Sequence, residues 1–389
     1  MAFNYFIPTR ILFGNGTLDQ LASQPLPGKK ALLVISSGRS MKRLGYLERV
    51  EALLDKAGVA HILFDKILPN PTLAHVTEGA ALARAEGCDF VVGLGGGSSI
   101  DSAKAIAVAA RNPGSYWDYI PSGTGGRKPI PNDPLPIVAI TTTAGTGTEA
   151  DPWAVISNTE TGEKIGFGYD KTYPVLSIVD PQLMMSVPPM LTAFQGFDAL
   201  FHSTEGCINR IPNEAGELFA LESIRLAARW LPDAVKDGQN ALAREKVALS
   251  NTLAGLVQCL SNSTSAHAME HALSAFHPNL PHGAGLIMIA EAYYGHLIQV
   301  HACDERFVQM ARAMGMENAS QPADFLLVLR RLMADCGVDS LRLSDYGVDG
   351  NDLEKYAQRA FDTQPNMFKA DPVDLSFGDV VEILRRSFR

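Results

Sequence analysis

The segment from His267 to Gly283, HAMEHALSAFHPNLPHG, carries four of the nine histidines in the chain. Imidazole is the commonest metal ligand and also the side chain that titrates near neutrality, so concentrating it points to metal binding, proton movement, or both. His267 and His271 are four residues apart. On a helix that spacing puts both rings on one face, about 5–6 Å apart at Cβ. Upstream, GFDALFHSTEG has the same spacing between Asp198 and His202. His282 follows a proline in LPHG, where a turn into the next helix is expected. A carboxylate with several imidazoles suits Fe2+ or Zn2+, and with no thiolate among the candidates an open catalytic site is favoured over a closed structural one. A lone histidine is usually packed or solvated. The weight here comes from candidates crowding into two short segments of one helical region. Spacing alone does not choose among His267, His271, His277 and His282.

A second chemistry is written in the glycines. VVGLGGGSSIDSAK (91–104) reads as strand, three glycines, two serines, helix. Glycine lets backbone N–H groups approach an anion, and a helix start adds its unpaired N–H groups and positive dipole end. Ser98 or Ser99 is the expected cap of that helix. The pattern is not the GxGxxG dinucleotide fingerprint, and a tight strand-to-helix turn accounts for part of it. TTTAGTGTE (141–149) is a second strand exit rich in hydroxyls and glycines. Two such loops at the ends of parallel strands are where open α/β sheets bind nucleotides.

The elements that position these residues follow from periodicity. Apolar runs at 31–36, 61–64, 90–94, 136–143 and 176–180 read as strands. Helical spacing at 46–58, 72–87 and 99–112 alternates with them, which implies a parallel sheet covered on both faces. Residues 113–135, rich in Pro and Gly, are expected to form a surface loop. AVISN and EKIGFG flank TETG as a hairpin. From Leu191 the periods are helical. The expected organisation is an α/β dinucleotide-binding domain over 1–185, with a mainly parallel, Rossmann-like sheet, then an all-α metal-binding domain over 186–389.

Bulk properties narrow the function. The chain has 389 residues, 46% hydrophobic and 19% charged, with a formal net charge of −9. An acidic chain without a basic stripe argues against nucleic acid. The five cysteines are scattered with no CxxC, so a reducing compartment is expected rather than a disulfide framework. The opening MAFNYFIPTR lacks a signal-peptide pattern and no apolar run approaches the roughly 20 residues of a membrane span. A cytoplasmic protein with no membrane partner is the expectation.

Taken together, these motifs resemble the iron-dependent alcohol dehydrogenase family over essentially the whole chain. PTRILFGNGTL is similar to the family's opening hairpin and GGGSSIDSAK to its cofactor motif. TTTAGTGTE is similar to its TTxGTGSE motif, with Thr148 where serine is usual. GFDALFHSTEG and HAMEHALSAFHPNLPHG are similar to its two ligand motifs. The resemblance implies a dehydroquinate synthase-like architecture, one divalent ion (Fe2+, with Zn2+ or Mn2+ as alternatives) and NAD(H) or NADP(H). It places the ligands at Asp198, His202, His267 and His282 and leaves His271 as a second imidazole near the substrate. Expected cofactor contacts are Ser36, Gly95, Gly96, Gly97, Ser98, Ser99, Asp101, Thr141, Thr142, Thr146 and Lys164, with Lys104 supporting the first loop. Trp153, Phe167 and Phe276 are expected in the substrate pocket, and the His267–His282 spacing, one residue longer than in many members, adds His277 to it. His271 or His277 is the candidate proton relay.

The implied reaction is hydride transfer between NAD(P)(H) and a small primary alcohol or aldehyde, in the sense of an aldehyde reductase, by a homo-oligomer, expected to be a dimer. A short anionic aldehyde such as sulfoacetaldehyde is one specific alternative. A dehydroquinate synthase-like lyase and a non-enzymatic metal-binding protein are the rivals. The first needs a basic set for a phosphorylated substrate, which the helical half does not show, and the second has no use for two nucleotide-type loops. After the strand at 31–36 the chain reads SSGRSMKRLG. It offers Ser36, Ser37, Gly38 and Arg39 but no acid to repel a 2′-phosphate, so tolerance of NADP(H) is expected.

Overall fold

The computed structural model describes residues 4–211 and 213–388, and they divide into two compact units. One comprises Phe6–Thr143 with Gly147–Met185. The other comprises 186–388 with Ala144–Thr146 and residues 4–5.

The first unit holds β1 (Arg10–Phe13), β2 (Lys30–Ser36), β3 (Ala60–Ile67), β4 (Phe90–Gly95), β5 (Ile137–Thr141), β6 (Ala154–Asn158), β7 (Glu163–Phe167) and β8 (Leu176–Val179). Its helices are α1 (Ser40–Arg43), α2 (Tyr46–Lys56), α3 (Leu73–Ala85) and α4 (Gly97–Arg111). Among the described residues, six strands form a parallel sheet in the order β1-β8-β5-β4-β2-β3. Alternate residues of the strands face opposite sides. Leu32, Val34 and Val91 join one buried cluster with α3 and α4. Ala31, Leu33, Ile35, Val92 and Leu94 join another with α2. Both faces are therefore dry, which is why these strands read as continuous apolar runs. β6 and β7 form the antiparallel hairpin anticipated around TETG.

Three expectations are corrected here. The opening segment is not a hairpin. β1 runs parallel to β8, and the chain then leaves the sheet through Gly14 and Gly16 into a 3-10 turn at Thr17–Ser23, whose start is held by the Asp180 carboxylate accepting from the N–H groups of Gly16 and Leu18. Residues 113–135 are not simply a surface loop: Tyr116, Trp117, Tyr119 and Ile120 are buried in the α3/α4 core. Neither Ser98 nor Ser99 caps α4. The helix begins at Gly97 with Gly96 as N-cap and no side-chain cap.

The second unit is helical: α5 (Pro189–Ile208), α6 (Glu214–Lys236), α7 (Ala241–Leu260), α8 (Ser265–Phe276), α9 (His282–Gln299), α10 (Asp304–Ala313), α11 (Ala323–Asp335), α12 (Leu353–Thr363), α13 (Pro365–Ala370) and α14 (Phe377–Ser387). Glycines allow close approaches between its helices. A Cβ on Gly196 of α5 would lie 2.2 Å from Leu231 of α6. One on Gly283 would lie 2.0 Å from the Phe194 carbonyl oxygen, so only glycine lets the start of α9 reach α5.

Candidate metal centre and cofactor loops

Three helices converge on the histidines. α5 presents Asp198, His202 and Glu205 at spacings of four and three, one face of the helix. α8 presents His267, Glu270 and His271 in the same way. His282 is the first residue of α9. From Asp198 Oδ1, His282 Nε2 is 3.4 Å away, His267 Nε2 3.7 Å and His202 Nδ1 3.8 Å. Donors bound at about 2.0–2.2 Å in a tetrahedral shell stand roughly 3.4 Å apart, so the cluster has the dimensions of a metal shell. One ligand atom from each of Asp198, His267 and His282 lies within 4.8 Å of the other two. His202 flanks them, its ring stacked on His267 at 4.5 Å between centroids.

The donor atoms also lack other partners. Asp198 Oδ1, His202 Nδ1 and His267 Nε2 are buried with no hydrogen-bond partner among the described residues. Leaving such atoms unsatisfied costs about 1–3 kcal/mol each; a cation at their common focus removes that cost. The opposite ring nitrogens are fixed by acids. His267 Nδ1 lies 2.7 Å from Glu205 Oε1, and His282 Nδ1 bonds Glu270 Oε2. A carboxylate on Nδ1 orients the ring and leaves Nε2 as the lone-pair donor. Glu205 stands in the GFDALFHSTEG motif but had no role assigned from the sequence, and Glu270 was not singled out. The available signal was their spacing, three residues after His202 and three after His267.

The electrostatics agree with a cation site. Burial raises the Asp198 carboxyl, but the His202 and His282 imidazoles outweigh it and hold the group well below the usual carboxylate range. Burial pushes the His202 imidazole down to about 4. Burial also opposes charge on His267, yet Glu205 and Asp198 overcome it and raise that imidazole to about 10.

The structure separates the two relay candidates. His271 lies in the cluster, 5.3 Å from the His282 ring, and its Nδ1 is 3.1 Å from Gln364 Nε2. Since an amide nitrogen only donates, Nδ1 accepts and the proton of His271 stands on Nε2. His277 Nε2 instead meets the Tyr356 hydroxyl at 2.8 Å. Burial and the Lys355 ammonium keep the His277 imidazole below its ordinary value. The Phe276 ring lies tilted beside Tyr356, 5.7 Å between centroids, and carries Lys355 Nζ 4.4 Å from its own centroid.

In the first unit the loop Gly95–Ser99 has the backbone of an anion cradle. Gly95 has φ 145°, and its missing Cβ would meet Ser99 Oγ at 2.6 Å. A Cβ on Gly96 would meet Thr143 at 2.9 Å. Gly96, Gly97 and Ser98 are partly exposed at the uncapped start of α4, while Ser99 is buried. Thr142 N–H donates to the Gly95 carbonyl, tying the second loop to the first; the Thr141 hydroxyl donates to the Thr143 carbonyl. Asp101 is spent on the scaffold. Its oxygens accept from the Thr148 hydroxyl and the Val155 N–H. Lys104, fully buried, donates to Asp151 and to the carbonyls of Thr148, Asp151 and Trp153. These two residues position the 147–155 segment. Ser36 ends β2, Lys164 is buried on β7, and Trp153 and Phe167 are half-buried in the same unit. Thr146 groups with the helical unit. Arg39 is exposed, and Lys42 is paired with Asp65 at 2.5 Å.

Residues 8–181 match the family described as iron-containing alcohol dehydrogenase, and residues 192–388 match the C-terminal region of that family. A 1,3-propanediol dehydrogenase of Klebsiella pneumoniae is 34% identical over 394 residues, covering 99% of both chains. An NAD-dependent methanol dehydrogenase of Bacillus methanolicus is 30% identical, again covering 99% of both. The crystal structure of an archaeal halo-thermophilic Red Sea brine pool alcohol dehydrogenase superposes with a TM-score of 0.95 at 36% identity, covering 100% of this chain and 99% of that one. The chain belongs to the iron-containing alcohol dehydrogenase family.

Proposed function

We propose that this chain is a nicotinamide-dependent reductase of small aldehydes, with a divalent metal held by Asp198, His202, His267 and His282. The observation that carries the reading is the set of buried, unpartnered donor atoms on Asp198, His202 and His267 with His282 Nε2 beside them. A bound ion of this kind supplies Lewis-acid polarisation of a substrate oxygen, and a nicotinamide supplies the two-electron hydride exchange. One carboxylate and three neutral imidazoles leave a divalent site with net charge of about +1, which favours an oxyanion. Glu205 and Glu270 hold two of the ligand rings in the required tautomer. His271, with its proton on Nε2 and its ring beside His282, is the group placed to give a proton to a product oxygen; His277, bonded to Tyr356, is the second candidate. Gly96, Gly97 and Ser98, at the uncapped start of α4, receive the cofactor phosphates through backbone N–H groups, with the Thr141–Thr142 loop tied beside them through the Thr142 N–H to Gly95 bond.

The relatives are named for propanediol, methanol and butanol, which supports a short primary alcohol or aldehyde as substrate. NAD(H) appears in two of those names, and tolerance of NADP(H) stays part of the proposal because Arg39 is exposed after β2. A cytoplasmic homodimer is the proposed setting. Among the described residues no helix is long and apolar enough to cross a membrane. Steady-state kinetics over a panel of short aldehydes, neutral and anionic, with each cofactor and with and without added Fe2+, test the reading. Metal-dependent oxidation of NADH or NADPH supports it, and turnover indifferent to metal removal sinks it.

A further inference from the structure

Lys104 lies on α4, the helix whose start is assigned to the cofactor phosphates, but its hydrogen bonds go to another segment. Its ammonium, fully buried, is 2.7 Å from both the carbonyl and the hydroxyl oxygen of Thr148. It is 2.8 Å from the Asp151 carbonyl, 3.2 Å from Asp151 Oδ1 and 2.8 Å from the Trp153 carbonyl. An ammonium has three protons to donate. Five oxygens from three residues therefore form a cage held by the charge as well as by single hydrogen bonds. A buried charge is costly unless it is paired and hydrogen-bonded, and this cage supplies both. The turn 148–153 is wrapped around one cation.

Trp153 is the residue this arrangement holds most completely. Its N–H donates to Asp151 Oδ1 at 2.8 Å, and its carbonyl accepts from Lys104. On either side, the Thr148 hydroxyl donates to Asp101 Oδ1 at 2.7 Å, and the Val155 N–H donates to Asp101 Oδ2 at 2.9 Å. Gly168 closes on the same residue: a Cβ there would stand 2.5 Å from the Pro152 carbonyl oxygen and 3.0 Å from Trp153 Cα. The preceding Phe167 pairs with Ala154 in the β6–β7 hairpin. Its ring lies 6.2 Å from that of Tyr116 and 5.9 Å from that of Tyr169, between centroids. Trp153 and Phe167, both half-buried, thus stand at the same end of that hairpin.

We propose that Lys104 is a positioning residue for aldehyde selection: its ammonium templates the 148–153 turn and so fixes Trp153, with Phe167, as the aromatic wall that the substrate chain meets. The proposal rests on the aldehyde-reductase reading above. It divides two tasks along one helix. Gly96, Gly97 and Ser98 at the start of α4 take the phosphates, and Lys104 further along sets the aromatic end of the hairpin. A wall that shifts loses discrimination between chains of different length, because each buried methylene stabilises only where it makes contact.

The relative use of two aldehydes tests this. When propanal and pentanal are compared in one preparation, the ratio of their kcat/KM values does not depend on how much of the protein is folded. Lys104→Met keeps the length of the side chain and removes the charge. It is expected to move the ratio toward parity by about tenfold, within the range that methylenes contribute to discrimination, while the NADH dissociation constant, read by nicotinamide fluorescence, stays near the parent's. Thr148→Val keeps the ammonium and takes one oxygen from its cage. It is expected to shift the ratio the same way by a smaller factor, and it carries the test if Lys104→Met does not fold. Trp153→Ala, which removes the wall, sets the end point. Equal use of both aldehydes by the parent, or a parental ratio in Trp153→Ala or in the folded cage variant, would overturn the proposal. So would a loss of NADH affinity as large as the change in ratio, which would put Lys104 at the cofactor instead. A parent that oxidises neither NADH nor NADPH with any short aldehyde in the presence of Fe2+ overturns the aldehyde-reductase reading and this proposal with it, whereas an active parent with an unmoved ratio overturns only the role of Lys104.

Discussion

At the scale of single residues, Asp198 is the focus: its Oδ1 is the atom to which three imidazole nitrogens point within 3.8 Å. His267→Ala should abolish bound metal and activity while circular dichroism shows a folded protein; a fully loaded, active variant would refute the ligand assignment. Asp371 gives a pH signature of its own. Burial raises its carboxyl to about 7, above the ordinary unfolded value of about 3.9. The folded state therefore binds more protons between those values, and the contribution is present at acid pH and lost as pH rises through the folded value. Denaturant titrations should show the parent losing stability relative to Asp371→Asn from about pH 4 to about pH 7, by at most about 1.4 kcal/mol per pH unit. A difference that does not change with pH would mean that Asp371 is ionised throughout. The carboxylate and imidazole candidates stood out by their spacing in the sequence, and the resemblance chose among them. Glu205, Glu270 and Asp371 did not, because acids on helices are ordinary surface residues until burial and a partner ring are known.

Elements explain why these side chains meet. Helical periodicity placed Asp198 with His202 and His267 with His271 on their faces, but bringing α9 onto α5 depends on Gly283, whose absent Cβ would sit on the Phe194 carbonyl. Gly283→Ala should displace the start of α9 with His282 and weaken Zn2+ binding by tenfold or more, while Gly295→Ala, further along α9, where the added carbon meets nothing nearer than 3.5 Å, serves as the control for a general glycine effect. An unchanged Zn2+ affinity in Gly283→Ala would show that the contact relaxes without moving the ligand. In the α/β unit, Gly96→Val should weaken cofactor binding far more than metal binding, read by nicotinamide fluorescence, since the branched side chain meets Thr143 and covers the N–H groups at the start of α4. Unchanged cofactor affinity would reduce that loop to a turn. Five of the six strands of the parallel sheet were readable as apolar runs, because a doubly covered parallel sheet is buried on both faces. The 113–135 segment misled because Pro and Gly dominate its composition while its few aromatics do the packing. The hairpin expected at the start failed because pairing partners far apart in sequence, β1 with β8, leave no local signal.

At the scale of the whole molecule, the chain belongs to the iron-containing alcohol dehydrogenase family, and the residues after β2 bear on its choice of cofactor. In the SSGRSMKRLG stretch, Lys42 is held by Asp65, while Arg39 stays exposed. NADPH should therefore be used with less than about a hundredfold loss in kcat/KM relative to NADH, roughly 2.7 kcal/mol at 1.36 per decade, and a larger loss would place an acid at that ribose. The central claim is that one ion in the Asp198–His267–His282 cluster makes this chain an aldehyde reductase. Titrating metal-free protein with Fe2+ under anaerobic conditions, while following aldehyde-dependent oxidation of NADH or NADPH, tests it most directly. Activity should rise linearly to a break at one ion per chain in the parent and stay at background in His267→Ala. Parental turnover in the metal-free protein, or the same titration curve in His267→Ala, would contradict it.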